Sequence, residues 1–269
     1  MRKPLISLTS DFGVQSQGVG VMEGTAISIC PNAYIIHLMH GLPEYNITAA
    51  ARTLETAIYL PQGAHVCVCD PGVGTKRKAI VIETKRGDYL IGPDNGVLIP
   101  ATRVFGGIKR AYQLTNLKYM RQPVSPIFHG RDIFIPTAAH LGNGVLIEEF
   151  GPILEEKDLT KAPYEEAILK SEKIKATVIW INKFDTIELN ILHKVWDDAG
   201  FKLGDKVKMI LPSKKTIEMI TARTFGEVKI GEDLILKDDF GRIEVAKNQG
   251  KFADKYKLKI GDQIIIEEN

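Results

Sequence analysis

The strongest constraint on this chain is an alternation in its first 150 residues: short apolar runs that end on polar residues, each followed by a segment with helical spacing. Leu5–Thr9 reads as a strand ending in Ser10-Asp11, and a helix is expected from Val19 to Ile29, where Pro31 stops it. Ala33–His37 reads as a second strand. Asn46 caps a helix that runs to Leu60, with apolar spacing at Ala50, Leu54, Ala57 and Ile58. His65–Cys69 is a third strand, leading into Asp70-Pro71-Gly72-Val73-Gly74. Lys78–Thr84 and Asp88–Ile91 form a hairpin around Arg86-Gly87, and Gly92-Pro93-Asp94-Asn95-Gly96 precedes a further helix and the strand Ala111–Leu114. Gly130-Arg131-Asp132 opens a last helix through about Leu141. Alternation of this kind implies an α/β domain with a largely parallel sheet, whose ligands gather at the carboxyl ends of the strands.

The pattern changes between Phe150 and Glu172, where acids and lysines surround Pro152 and Pro163, as expected of a linker. Beyond it short strands follow one another: Lys175–Ile181, Thr186–Ile191, Lys206–Ile210, Thr216–Met219, Leu234–Lys237, Ile243–Ala246 and Gln263–Ile266. Only His193–Ala199 and Gly250–Tyr256 suggest helices. The expected organisation is an α/β domain over residues 1–160 and an antiparallel β-barrel domain over residues 172–269.

Charge excludes some partners. With 35 basic and 33 acidic residues the net charge is +2, and the lysines are scattered among acids instead of clustering with aromatics, so neither nucleic acid nor a membrane surface is an expected partner. No apolar run approaches the ~20 residues needed to cross a bilayer. The expected location is cytoplasmic. Cys30, Cys67 and Cys69 form no Cys-x-x-Cys pair, and the alternating Cys67 and Cys69 read as small core residues.

Several polar residues directly follow apolar strands. Asp11 follows the first strand and Asp70 the third. Arg77 lies beyond a loop containing Gly72 and Gly74, and His129 precedes a helix start. The competing reading treats Asp70 as a turn residue and Arg77 as a surface charge. The segment from Asp70 to Thr75 is no P-loop, since it lacks Gly-Lys-Ser/Thr at the required spacing. The Gly18-x-Gly20 segment lacks the acid of a dinucleotide fingerprint. His37 and His40 make a poor zinc set, so no metal is expected.

Segments at these positions resemble the S-adenosylmethionine hydroxide adenosyltransferase family, relatives of the fluorinase and chlorinase enzymes. They are Thr9-Ser10-Asp11-Phe12-Gly13, Gly20-Val21-Met22-Glu23-Gly24, Asp70 to Arg77, Gly92 to Gly96 and Phe128 to Phe134, joined in the second domain by Phe240-Gly241-Arg242 and Ala246 to Gly250. The resemblance implies hydrolysis of S-adenosylmethionine to adenosine and methionine, by water attack on the ribose 5′-carbon. It implies no cofactor beyond the substrate, and a homotrimer with sites at subunit interfaces. By resemblance Asp70, Arg77 and His129 are catalytic and Asp11 holds the ribose hydroxyls. Phe184, Phe225, Asn248 and Gln249 fall near methionine or adenine. Asp70 stands where the halogenases have Tyr, and Gly130 where fluorinase has a Ser that helps hold fluoride.

The chain also departs from the family pattern. Ser16 and Gly18 replace an acid and a Tyr, Asn182 replaces a carboxylate expected near the methionine amine, and Thr186 replaces an Asn. Asp185 or Glu188 is a candidate for the missing charge, and Tyr45 is either an aromatic wall or a surface tyrosine. The alternatives to an enzyme are a non-catalytic adenosine-binding protein of the same fold and a scaffolding trimer.

Overall fold

The computed structural model describes residues 3–268 and divides into two compact units, meeting at Pro163/Tyr164. The first unit contains β1 (Leu5–Ser10), α1 (Gln17–Ile29), β2 (Tyr34–Met39), α2 (Ile47–Glu55), β3 (Ala64–Val68), β4 (Ala79–Thr84), β5 (Tyr89–Pro93), α3 (Ile99–Val104), β6 (Ile108–Gln113), α4 (Ile135–Gly142) and β7 (Ile153–Leu154). Its sheet has the order β2-β1-β3-β5-β4-β6-β7. The first four strands in that order pair in parallel, and the rest pair antiparallel. β1, β3 and β4 are buried along their whole length, which is why they read as apolar runs instead of alternating ones.

Side-chain parity decides what each face of the sheet holds. Ile6, Leu8, Val66 and Val68 join Met22 and Ala26 of α1 and Ala138 and Ala139 of α4 in one core. Ser7 and His65 have the opposite parity, and the His65 ring meets Phe105 at the end of α3. Helices on both faces leave the carboxyl ends of β1 and β3 as the open side of the sheet, delivering Asp11 and Asp70 to it. The expected helix at Gly130 starts differently: Gly130–Phe134 form one wide π-helical turn that runs into α4. Such turns often accompany functional sites.

The second unit contains β8 (Ile168–Lys170), β9 (Lys173–Ile181), β10 (Ile187–Leu192), α5 (His193–Asp198), β11 (Lys206–Ile210), β12 (Thr216–Thr221), β13 (Asp233–Lys237), β14 (Arg242–Lys247), α6 (Phe252–Tyr256) and β15 (Gln263–Glu268). Pairing of β10 with both β14 and β9 closes seven strands into a barrel, and β8 extends it beyond β9. The interior is filled by Ile174, Val178, Ile187, Leu189, Val207, Ile235, Ile243 and Val245. One pairing departs from the antiparallel expectation: β12 and β13 run parallel. The chain between them, residues 222–232, must return to the starting end of the barrel, and it carries Phe225 with it. The stretch expected to be a linker is partly structured, since β7 pairs with β6 and β8 with β9. Among the described residues, no helix is long and apolar enough to cross a membrane.

Candidate active site

Strand ends build a cleft of about 360 Å³ in the first unit, lined by Asp11, Tyr45, Asp70, Phe128, His129 and Gly130 among others. Asp70 follows β3 directly. Its carboxylate is gripped by Arg77, whose Nε donates to Oδ1 at 3.0 Å and whose Nη2 donates to Oδ2. The same Nη2 donates to Nδ1 of His129 at 3.0 Å. Both acid and guanidinium are nearly sealed, with side-chain exposures of 5% and 7%. Arg77 does not line the cleft. It stands behind the two groups that do, with Phe134 under its guanidinium at 5.4 Å. Its Nη1 is buried without a hydrogen-bond partner, a cost of about 1–3 kcal/mol that structural ion pairs normally avoid.

The geometry fixes the state of His129. Arginine has only donors, so Nδ1 must accept, and the neutral ring carries its proton on Nε2. Burial lowers the imidazole pKa and the Arg77 charge lowers it further, against the opposing pull of Asp70 and Asp132.

A backbone contact holds the loops bearing Asp70 and His129 in register. Gly74 has a φ of +75°, and a Cβ there would lie 2.3 Å from the Pro126 carbonyl oxygen. The Asp70–Arg77 loop therefore rests on the strap that leads to His129. Asn95 supports it from below, its Nδ2 donating to the Cys69 carbonyl at 2.9 Å. Asp132 secures the strap by accepting the Ser125 N–H at 2.8 Å. Gly130 is also closely packed, against side chains: a Cβ would meet Met22 Sδ at 2.9 Å and Val68 at 3.2 Å.

Asp11, after β1, accepts the Tyr45 N–H at 3.0 Å through Oδ2. Tyr45 lines the cleft and is also 69% exposed. Behind this loop Ser10 Oγ and His40 Nδ1 are hydrogen-bonded at 2.7 Å. Ser16 is the N-cap of α1, accepting from Gly18 N. Cys67 and Cys69 are buried free thiols, and burial raises the pKa of both, most steeply for Cys69, which hydrogen-bonds Asp11.

The second unit has its own pocket, about 690 Å³ and mostly apolar. It collects Asn182, Phe184, Thr186, Phe225, Asn248 and Gln249, all six residues that the resemblance placed near the substrate in this half. Phe184 is 67% exposed and Phe225 43%. Asn248 Nδ2 donates to the Val228 carbonyl at 2.9 Å and so ties down the loop bearing Phe225. Asn182 Oδ1 is engaged in its own turn, accepting from Phe184 N and Thr186 N at 2.9 and 3.2 Å. Neither candidate for the missing charge lines the pocket: Asp185 accepts the Asp254 N–H at 2.8 Å, and Glu188 is not in the lining.

Sequence reasoning missed Glu44, Phe12 and Phe128 in the cleft, and Glu244, Lys247 and Lys251 in the barrel pocket. Phe12 and Phe128, packed edge to face at 5.9 Å, lie inside motif segments that already stood out. Lys247 likewise lies inside the segment Ala246 to Gly250, and Glu44, Glu244 and Lys251 carry no signal beyond polarity. Among the described residues, no group of three His, Cys, Asp or Glu is arranged to hold a metal ion.

A domain with a largely parallel sheet and a carboxylate–guanidinium–imidazole chain at its strand ends, followed by a β-barrel with an aromatic-flanked pocket, defines a two-domain protein with a charged cleft in one unit and an apolar pocket in the other. The chain belongs to the SAM hydroxide adenosyltransferase family: the N-terminal domain of that family matches residues 6–151 and the C-terminal domain residues 176–265. It is 33% identical to the (R)-S-adenosyl-L-methionine hydrolase of Salinispora tropica, over 98% of this chain and 97% of that one. It is 36% identical to the enzyme of the same name from Methanocaldococcus jannaschii, over 97% and 95%. The crystal structure of a conserved protein from Thermotoga maritima superposes with a TM-score of 0.91 at 31% identity, covering 98% of this chain and all of that one.

Proposed function

We propose that this chain is an enzyme that hydrolyses S-adenosyl-L-methionine to adenosine and L-methionine, with Asp70, Arg77 and His129 as its catalytic set. The observation that carries the reading is the hydrogen-bonded chain Asp70–Arg77–His129 at the end of β3, in one cleft with Asp11.

Sulfonium chemistry simplifies the task. Methionine already departs as a neutral thioether, so no acid is needed for the leaving group. What remains is to align water behind the ribose 5′-carbon and remove its proton, and placement of this kind lowers barriers by up to ~7–11 kcal/mol in ideal cases. His129 offers Nε2–H to the water oxygen. With Nδ1 committed to Arg77, the ring has no lone pair left for the proton, so Asp70 is the acceptor. Oxygen then bonds to C5′ as the C5′–S bond breaks; its electron pair goes to sulfur and the water proton passes to Asp70 and on to solvent. Arg77 works through its neighbours, orienting both by its hydrogen bonds. Asp11 keeps one oxygen on Tyr45 N–H and presents the other to the ribose hydroxyls.

Halide is disfavoured in this cleft. The Asp70 carboxylate repels an anion, and a serine hydroxyl at position 130 would have to displace Met22. Phe184, Phe225, Asn248 and Gln249 line the pocket that surrounds the methionine or adenine part of the substrate. No cofactor or metal takes part. The exposed Tyr45 and Ile127 on the cleft rim suit coverage by another subunit in a homotrimer, which sedimentation would detect as three chain masses.

Incubation in ¹⁸O-water followed by chromatography tests the reaction: adenosine and methionine should appear in equal amounts, with the label in the adenosine 5′-hydroxyl. Asp70→Ala and His129→Ala should abolish turnover while sparing substrate binding. Full activity in either variant would refute the assignment. Adenosine binding without turnover in the parent protein would mark a binding protein instead.

A further inference from the structure

The barrel pocket contains three ionisable groups that the mechanism does not use, Glu244, Lys247 and Lys251. Glu244 lies in the middle of β14, half-buried, and lines the pocket together with Phe184 and Phe225. The two lysines in the same lining are committed elsewhere. Lys247 Nζ pairs with Asp233 at 2.5 Å and donates to the Gly231 carbonyl at 2.6 Å, while Lys251 Nζ donates to the Lys183 carbonyl at 3.2 Å. Among the described residues, Glu244 forms no ion pair, and its side-chain hydrogen bond is to Thr186.

Its surroundings are negative. Glu244 is registered directly opposite Glu188 of β10, and Asp238 and Asp239 precede it in the turn from β13. Like charges directly opposite one another weaken a ladder. Burial first, then Glu188 and Asp238, push the Glu244 pKa up to about 7, with only the Thr186 bond opposing. A carboxylate in such a field, beside exposed aromatic rings and without a cation of its own, suits a positively charged ligand group, because that group relieves the repulsion.

We propose that Glu244 is the counter-ion for the α-ammonium of the substrate's amino-acid end, and thereby a specificity-determining residue for zwitterionic over neutral ligands. The assignment rests on the hydrolase reading for the identity of the substrate, but its test does not depend on turnover. Ammonium capture favours the ionised carboxylate, so affinity rises with pH through the Glu244 titration. Between pH 6 and 8 that rise is about tenfold for a group titrating near 7.

The test is calorimetric titration of the intact protein with L-methionine and, separately, with adenosine. In Glu244→Gln, L-methionine should bind at least tenfold more weakly at pH 8, with its pH dependence flattened, while adenosine affinity stays within twofold. Glu244→Asp should keep the pH dependence, and melting temperatures establish that both variants fold. Where turnover is measured, KM for S-adenosylmethionine should rise about tenfold in Glu244→Gln and kcat should change less than threefold. Unchanged L-methionine affinity in a folded Glu244→Gln overturns the proposal, as does a parent protein that binds no L-methionine. Loss of adenosine affinity instead would place a nucleobase at Glu244 and overturn it too. A parent that turns over no substrate yet binds L-methionine through Glu244 refutes the hydrolase reading and leaves the ammonium site standing.

Discussion

Two polar clusters hang on β3, and they differ in one respect. His65, near its start, bonds Ser7 Oγ through Nδ1 at 2.8 Å and Asp88 Oδ1 through Nε2 at 3.1 Å, the spacing of a serine nucleophile with its base and orienting acid. Asp70, just past its end, joins Arg77 and His129 with comparable distances. Ser7, His65 and Asp88 are all fully buried, whereas Asp70 and His129 face a cleft. Triad-like distances are thus common currency in a packed sheet, and access separates a reaction centre from a structural tie. Arg86 locks the buried cluster, donating to Asp88 at 2.6 and 2.9 Å and to the Ile58 carbonyl at 2.8 Å.

Substitutions can break that contrast, and the largest effect should come at the cleft. Asp70→Asn should lower kcat by 10²–10⁴ in steady-state assays, the usual scale for a positioned acid–base group, and it should also lower the denaturant midpoint, because it strips the nearly sealed Arg77 of its charge partner. Asp88→Asn should share only the loss of stability, costing about 3 kcal/mol in urea unfolding, because it leaves Arg86 short of its charge partner, while kcat of the folded protein holds. Acid should then expose the buried cluster. Burial alone would raise the Asp88 pKa, yet hydrogen bonds from His65 and Arg86 bring it from 3.8 down to about 2. Its contribution, about 2 kcal/mol for a shift of roughly two pH units, is fully present above pH 3.8 and disappears as pH falls toward 2, so Asp88→Asn should flatten the acid limb of the stability profile. Ser7→Ala should be the mildest, about 1 kcal/mol in stability for one buried hydrogen bond and nothing in turnover. A large activity loss in Ser7→Ala would erase the distinction between the clusters.

The sequence shows some of this and hides the rest for physical reasons. β1 and β3 were readable because strands covered on both faces must be apolar throughout, and polar residues at their ends, Asp11 and Asp70, stand out by contrast. The barrel strands were readable from their spacing, but β7 and β8, two and three residues long, are too short for any periodicity. The buried cluster was invisible because its bonds join residues 58 and 23 positions apart. Glu244 looks like an ordinary solvent-side residue of an alternating strand. Only the loops bearing Phe184 and Phe225, folded over it, turn that surface position into part of a pocket. Nothing in the sequence tells whether Arg77 stands in the cleft wall or behind it, since that is set by side-chain geometry.

The missing carbon at residue 74 acts as a spacer gauge. Because backbone rests on backbone there, the gap between the Asp70 carboxylate and the His129 imidazole is insensitive to exchanges among neighbouring side chains, yet one added methyl would pry both loops apart together. Attempts to retune this catalyst for other nucleophiles therefore have freedom in the walls of the cleft and almost none in the hinge stone beneath it.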